Sequence, residues 1–306
     1  VRIVFAGTPD VALPTLDALL ASDHEVVAVL TRPDAPAGRG QRVTPSAVAE
    51  FARSHGIPVL TPASLADPDV QAELAELHAD LGVVVAYGAL IPAAVLGIPA
   101  HGWLNLHFSL LPTWRGAAPV QHAIWRGDSQ TGVCVFHLDE GMDTGPVYAR
   151  RTYPLASMQT AGEVLTDLAG IGAGVVREVV DSIAAGTAHA IPQSQDDVSR
   201  APRVTVEQAR IAWTESSATI DRQIRACTPH PGAWTTIDGV RVRLGPIQPD
   251  SGGDLSPGHV RAFDPDIRIG TGDGWVTLGW VQPAGKSRMS ATDWWRGLRV
   301  SEARCD

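Results

Sequence analysis

Apolar and polar positions in the first half of the chain switch repeatedly between two periods. Residues 2–6 form a short apolar run that ends at Gly7-Thr8-Pro9-Asp10, and residues 11–21 then set Leu13, Leu16, Leu19 and Leu20 on one helical face. Further apolar runs at 25–31, 57–60, 81–86 and 103–107 have strand length, and the stretches 45–55 and 67–77 between them have helical spacing. This alternation predicts an α/β fold, a Rossmann-like doubly wound parallel sheet with helices on both faces. Residues 118–126 and 160–185 read as helices, flanking a strand pair at 131–138 and 146–153. Ligands of such sheets bind at the carboxyl ends of strands, which is where Asn105 and His107 fall.

The pattern breaks between Gly186 and Thr205 into Pro, Gln, Asp, Ser and Arg, the composition of a linker. A helix at 217–227 follows, and then short strands separated by Gly and Pro at 233–237, 240–244, 259–263, 267–269 and 275–281. These predict a small, partly open OB-like β-barrel. The expected organisation is a first domain at 1–189, a linker at 190–206 and a barrel domain at 207–306.

Composition narrows the class. The 306 residues are 44% hydrophobic and 19% charged, as in an ordinary globular enzyme with a sizeable core. The longest apolar runs are strand-length, so no membrane span is expected, and Arg2 followed by a buried-strand pattern is not a signal-peptide layout. Cys134, Cys227 and Cys305 are odd in number and share no metal-ligand spacing, which predicts free thiols in a reducing cytoplasm and no metal site. The net charge of -9 argues at first against a nucleic-acid partner. Its distribution alters that reading: residues 1–206 carry 12 Arg against 21 acidic residues, whereas residues 207–306 carry 12 Lys and Arg against 12 acidic residues. The second part is neutral on balance and leaves room for a local basic face.

The candidate chemistry is concentrated in two segments. Asn105 and His107, two apart on a strand, project on the same face. The Asn supplies an N–H donor and the His an acid/base group near neutral pH. Asp143, on a turn between Gly141 and Gly145, reaches the same point and biases the His proton. Such a set builds and collapses a tetrahedral acyl intermediate without a covalent nucleophile. The opening Gly7-Thr8-Pro9 turn lacks the G-x-G-x-x-G pattern, so a nicotinamide cofactor is not favoured.

The string Asn105-Leu106-His107-Phe108-Ser109-Leu110-Leu111-Pro112, followed by Gly141-Met142-Asp143-Thr144-Gly145, resembles the folate-dependent formyltransferases. Trp114-Arg115-Gly116-Ala117-Ala118-Pro119 is similar to a signature of the members acting on methionyl-tRNA. The Arg-, Pro- and Gly-rich segment 31–42 resembles a loop inserted in those members, although by composition alone it reads as a surface loop with no strand or helix. Residues 282–290 match their C-terminal signature. The resemblance covers nearly all of the chain. It departs at Phe108, where a small residue is usual, and at Arg203 and Ala212.

The resemblance implies transfer of a formyl group from 10-formyltetrahydrofolate to initiator methionyl-tRNA, without a metal, by a cytoplasmic monomer. It implies catalytic roles for Asn105, His107 and Asp143. It implies a folate pocket built from Tyr87, Gly88, Leu90, Ile91, Ser109, Leu110, Leu111, Pro112 and Asp139, and tRNA contacts from Arg32, Arg39, Arg42, Lys286 and Arg288. A formyltransferase for nucleotide-sugar amines, a folate-dependent hydrolase and a non-enzymatic tRNA-binding protein remain open alternatives at this point.

Overall fold

The computed structural model describes residues 1–37, 42–250 and 252–306, the side chains of Ala37 and Arg42 excepted. Contacts divide the chain into two compact units, Val1–Gly116 with Thr131–Tyr153 and Leu165–Arg200, and Ala117–Gln130 with Pro154–Val164 and Ala201–Asp306.

The first unit is built on a sheet of seven strands, β1 (Arg2–Gly7), β2 (Glu25–Leu30), β5 (Val59–Leu60), β6 (Leu81–Val85), β7 (Trp103–His107), β8 (Gln130–His137) and β9 (Val147–Pro154), in the order β5-β2-β1-β6-β7-β8-β9. β1 runs parallel to β2 and β6, and β6 parallel to β7, while β8 is antiparallel to β7. β6 is buried at every position, as a central strand covered on both faces must be, which is why it reads as a continuous apolar run. Its one small residue, Gly82, makes room for Trp103: a Cβ there would stand 2.1 Å from the indole, whose Nε1 donates to the Val95 carbonyl at 2.9 Å. Strand order reverses at β1, between β2 and β6, so the crevice beyond Gly7 and Val85 is the topological switch point.

The helices are α1 (Leu13–Leu20), α2 (Ala47–Ser54), α3 (Pro68–Glu76), α4 (Ala93–Leu96), α5 (Pro119–Arg126), α6 (Ala161–Ala184), α7 (Ser217–Ala226) and α8 (Ala291–Leu298). Side-chain caps set several starts: Ser46 accepts from Ala49 N, Asp67 from Asp69 N and Ser216 from Thr219 N. α6 lies so close to β7 that a Cβ on Gly172 would meet Leu106 Cδ2 at 2.6 Å.

Two expectations that bear on the first unit are corrected. The 31–42 segment, expected to hold no strand, contains β3 (Ala35–Ala37), which pairs antiparallel with β4 (Arg42–Thr44) through Ala35–Thr44, Pro36–Val43 and Ala37–Arg42. A two-stranded ribbon closes on backbone hydrogen bonds alone and needs no apolar face, so hydropathy carries no sign of it. The 186–205 segment, expected as a linker, is stitched to the first unit as far as Arg200: Ile191 bridges Val147, and Arg200 bridges Arg115.

The second unit contains two antiparallel sheets. One has the order β10 (Trp234–Ile237), β11 (Val240–Leu244), β16 (Trp280–Pro283), β17 (Met289–Ser290); the other has β12 (Ile247–Asp250), β15 (Trp275–Leu278), β14 (Asp266–Gly270), β13 (His259–Phe263), β18 (Glu302–Arg304). They share one core, including Trp213, Ile220, Ile224, Val260 and Val281, and an Ile237–Cys305 bridge joins them at one seam. The run 275–281, expected as one strand, breaks at Gly279 and passes from one sheet to the other. A Cβ at Gly279 would lie 2.6 Å from the Pro246 carbonyl oxygen, so the corner needs glycine. β12, β17 and β18 escaped the reading because they are two to four residues long and largely polar or interrupted by Pro. α5 and residues Pro154–Val164 belong to this unit, where α5 packs on α7.

Candidate functional site

The alternation of β7 sends Leu106 toward α6 and Asn105 and His107 to the opposite face. Asn105, half-buried, pairs with Val84 on one side and Phe136 on the other. His107 is 6% exposed and wired at both nitrogens. Its Nε2 lies 2.9 Å from the Trp114 carbonyl oxygen, and its Nδ1 lies 3.8 Å from Asp143 Oδ2. A carbonyl only accepts, so Nε2 carries a hydrogen and Nδ1 is the nitrogen left to gain or lose a proton beside a carboxylate. The Phe136 ring meets the imidazole nearly perpendicular, with centroids 6.3 Å apart, and limits its tilt.

Asp143 reaches this position from a tight turn. Its own φ is +54°, a left-handed conformation that Asp tolerates better than most residues. Asp139 Oδ1 closes the turn by accepting from Gly141 N at 3.1 Å and Thr144 Oγ1 at 2.7 Å. Asp143 Oδ2 accepts from the Gly116 N–H at 2.7 Å, which aims the carboxylate at His107. The side chain keeps 14% of its surface exposed. Asn105, His107 and Asp143 thus lie on adjoining elements of one unit, and the His107–Asp143 pairing expected from sequence is present.

Of the residues expected to wall a folate, the structure separates two kinds. Gly88, with φ +83°, is exposed and Leu90 is 82% exposed, an open backbone beside a bare apolar side chain at the carboxyl end of β6. Leu110 and Pro112 are half-buried and Asp139 is exposed. Tyr87, Ser109 and Leu111 are buried at 2%, 0% and 1% exposure, and Ile91 at 9%. Tyr87 packs in an apolar cluster with Val4, Leu30 and Trp103; burial pushes its phenol pKa up, with Arg32 opposing, and its carbonyl accepts from Thr8 Oγ1 at 2.7 Å. Ser109 Oγ donates to the Thr113 carbonyl at 2.6 Å, and Leu111 packs with Cys134, Phe136 and Val147. These residues hold the turns in place, while Gly88, Leu90, Leu110 and Pro112 offer surface.

The expected tRNA residues are dispersed. Arg32 is half-buried beside Gly88: a Cβ there would meet Arg32 Cγ at 4.0 Å. It stands with the crevice residues. Arg39 lies outside the described residues, and Arg42 contributes its backbone to the ribbon. Lys286 and Arg288 are exposed, with the Arg288 guanidinium 4.0 Å over the Trp280 ring. Nearby, a cleft of about 210 Å³ is lined by Arg241, Arg243, Gln282, Pro283, Ala284 and Gly285, and Arg241 stacks 4.0 Å over Trp234. Arg241 and Arg243 did not stand out in the sequence, since alternate arginines on a short strand look like a solvated face. Trp114 and Gly116 entered the sequence reading only within a signature string, without their backbone contacts to His107 and Asp143, and Gln193 was placed in a linker. Among the described residues no group of three or more His, Cys, Asp or Glu side chains could hold a metal ion, and no helix is long and apolar enough to cross a membrane.

Comparison with known proteins adds to this geometry. Residues 1–180 match the formyl transferase family model and residues 203–299 the model of the formyl transferase C-terminal domain. Methionyl-tRNA formyltransferase of Nocardioides sp. is 52% identical over 302 residues, covering 98% of this chain and 96% of the relative. The protein of that name from Rhodococcus erythropolis is 53% identical over 300 residues, covering 98% and 97%. Among solved structures, HypX from Aquifex aeolicus in complex with tetrahydrofolic acid aligns with a TM-score of 0.66 at 21% identity; the match covers 96% of this chain and 46% of that one. Methionyl-tRNA formyltransferase from Clostridium thermocellum aligns with a TM-score of 0.59 at 16% identity, covering 82% and 94%. At these identities the two structures speak for the fold alone.

Proposed function

The chain belongs to the formyl transferase family, among the methionyl-tRNA formyltransferases, and from that premise we propose that Asn105, His107 and Asp143 carry formyl transfer from 10-formyltetrahydrofolate to the α-amino group of initiator methionyl-tRNA. The observation that carries this reading is the wiring of His107, with Nε2 held by the Trp114 carbonyl and Nδ1 turned to Asp143. The neutral amine attacks the formyl carbon, forming a C–N bond. The Asn105 amide N–H and the Nδ1–H of protonated His107 donate to the oxygen on which charge collects. The bond from the formyl carbon to folate N10 then breaks. The proton lost by the amine passes through the His107–Asp143 pair and water to that nitrogen. No Ser or Cys nucleophile is used: Cys134, opposite His107 on β8, is fully buried with its thiol pushed up to about 11.

Gly88 and Leu90 at the switch point fit a flat heterocycle, with exposed backbone to meet its edge and an apolar side chain to cover a face. For the tRNA, Arg39, Arg42 and Arg32 of the first unit and Lys286 and Arg288 of the second are the proposed contacts, and within the second unit the Arg241–Arg243 cleft adds two arginines beside Lys286 and Arg288. Arginines stacked on tryptophan are pre-ordered for phosphate and base contacts.

The test offers formyl donor with methionyl-tRNA, with free methionine and with no acceptor, and follows the formyl carbon. Label arriving on methionyl-tRNA alone is the expected result. Formate released equally without acceptor would mean a hydrolase. Asn105→Ala and His107→Ala should each lower single-turnover transfer by about 10²–10³, with tRNA binding little changed; parental rates would sink the assignment. Arg39→Ala should weaken transfer to initiator tRNA and narrow its preference over elongator tRNA, with folate binding intact; an equal defect in folate binding would reassign the loop.

A further inference from the structure

Gln193 falls in the Pro-Gln-Ser-Gln run that the sequence offers as linker, yet it is 8% exposed and every hydrogen-bonding position of its amide is taken. Nε2 donates to two carbonyls of the Asp143 turn, Asp143 O and Gly145 O, each at 2.8 Å. Oε1 accepts from Arg115 Nε at 3.2 Å and Nη2 at 2.7 Å. Arg115 sits between two residues whose backbones hold the reacting pair: Trp114, whose carbonyl binds His107 Nε2, and Gly116, whose N–H binds Asp143 Oδ2. One side-chain amide therefore ties the turn that carries the carboxylate to the turn that aims both the carboxylate and the imidazole. The same segment adds a second clamp, since Ser199 Oγ accepts from Trp114 N and Ser199 O from Arg115 N, both at 2.9 Å.

We propose that Gln193 is a positioning residue for formyl transfer, acting on the reaction through Asp143. The proposal rests on the reading that Asp143 and His107 are the reacting pair. Asp143 holds a left-handed φ of +54°, a conformation that Asp can adopt but that carries a cost, so bonds to the turn help to hold it. The two carbonyl bonds from Gln193, with the Gly116 and Asp139 bonds, supply that constraint. Remove them and the carboxylate loses its fixed distance to Nδ1, while Asn105 and the folate-facing residues keep their own supports.

The test is a double-mutant cycle on the full chain, with turnover at saturating methionyl-tRNA and formyl donor, KM for methionyl-tRNA, and equilibrium binding of 5-formyltetrahydrofolate. Gln193→Ala should lower kcat by about 30–100-fold, the scale of an ångström-level misplacement, with KM and folate binding within about threefold of the parent. In the Asp143→Asn background the same substitution should cost less than about threefold, because the group it positions is already gone. Fully additive losses, or a defect confined to KM, would overturn the proposal. Gln193→Glu serves where the alanine variant folds poorly: it keeps the bulk and the Arg115 contact but replaces both donors by an acceptor facing two carbonyls. It should show the same loss in kcat, and parental kcat would overturn the proposal. If Asp143→Asn itself turns over like the parent, the underlying reading fails and takes this inference with it. If Asp143→Asn is impaired and both Gln193 variants are not, only the positioning role fails.

Discussion

Gly145→Ala gives a sharp test of how tightly the fold holds the carboxylate. A Cβ at this position would lie 1.8 Å from the His137 carbonyl oxygen, where real Cβ atoms stay beyond 3.0 Å. Both partners are backbone, so no side chain can swing aside, and the start of β9 must move away from the end of β8 by at least about 1.2 Å, the difference of those two distances. Asp143 lies two residues upstream, and the Gly145 carbonyl is one of the two bonded by Gln193. The same shift carried to Asp143 would stretch its 3.8 Å separation from His107 Nδ1 to about 5 Å. A misplacement of this size costs about 10² in turnover. Overpacking of this kind destabilises by about 1–3 kcal/mol, and in a chain of this length each kcal/mol lowers Tm by about 2–4 °C. Single-turnover formyl transfer and a thermal melt on the same preparation therefore separate the effects. The expected variant is folded, melts a few degrees early and transfers about 10²-fold more slowly. Parental transfer, or an unchanged melt, would refute the argument that the turn is rigid.

Other expectations follow from packing and ionisation. In α6, Gly170 and Gly174 are exposed with nothing within 4 Å of a built Cβ, so each change to Ala should stabilise by about 0.5–1 kcal/mol, whereas Gly172→Ala, 2.6 Å from Leu106 Cδ2, should destabilise; urea midpoints that rank all three alike would contradict this. Burial pushes the thiols of Cys134, Cys227 and Cys305 up to about 11, 12 and 12 from the ordinary 9.0, so the unfolded chain gives up these protons first. Their contribution to stability is complete below about pH 9 and is lost as pH rises through the folded values; the urea midpoint should fall between pH 9 and 11, and native thiols should resist iodoacetamide at pH 8 until urea is added. Arg225 Nε lies 2.8 Å from Asp221 Oδ2 with both side chains 9% exposed. Arg225→Met should cost about 3–5 kcal/mol by stranding a buried carboxylate, while the Asp221→Leu/Arg225→Met double variant should recover most of it; a double variant no better than the single would show that the ion pair, and not the stranded charge, matters.

What the sequence determined by itself is the order of the elements and the face that carries the chemistry. Strands covered on both faces are mostly apolar, so β1 and β6 announce themselves within a residue of their ends, and β7 does so through Trp103, Leu104 and Leu106 although it also carries Asn105 and His107. The period of two then puts Asn105 and His107 together without any knowledge of the fold. The glycines around Asp143 mark its turn, since Gly145 has to pass a backbone carbonyl and Gly141 a threonine side chain. Motif resemblance carried the rest of the functional reading to the family level.

The tertiary structure alone decided how those residues are held. Which nitrogen of His107 carries its hydrogen depends on the Trp114 carbonyl, and where the Asp143 carboxylate points depends on the Gly116 N–H. Backbone donors and acceptors are the same in every residue type, so no sequence pattern marks them. Gln193 reaches Asp143 across 50 residues and Arg115 across 78, from a segment whose polar composition is that of a loop. The corner at Gly279 and the polar strand β12 were equally silent, because each is set by a partner about thirty residues away, and so was the β3–β4 ribbon, which closes on backbone bonds to a near neighbour; none is marked by its own hydropathy. A periodic pattern records what a residue buries against its own element's face. It does not record single hydrogen bonds between elements, and in this protein those bonds set the geometry of the site.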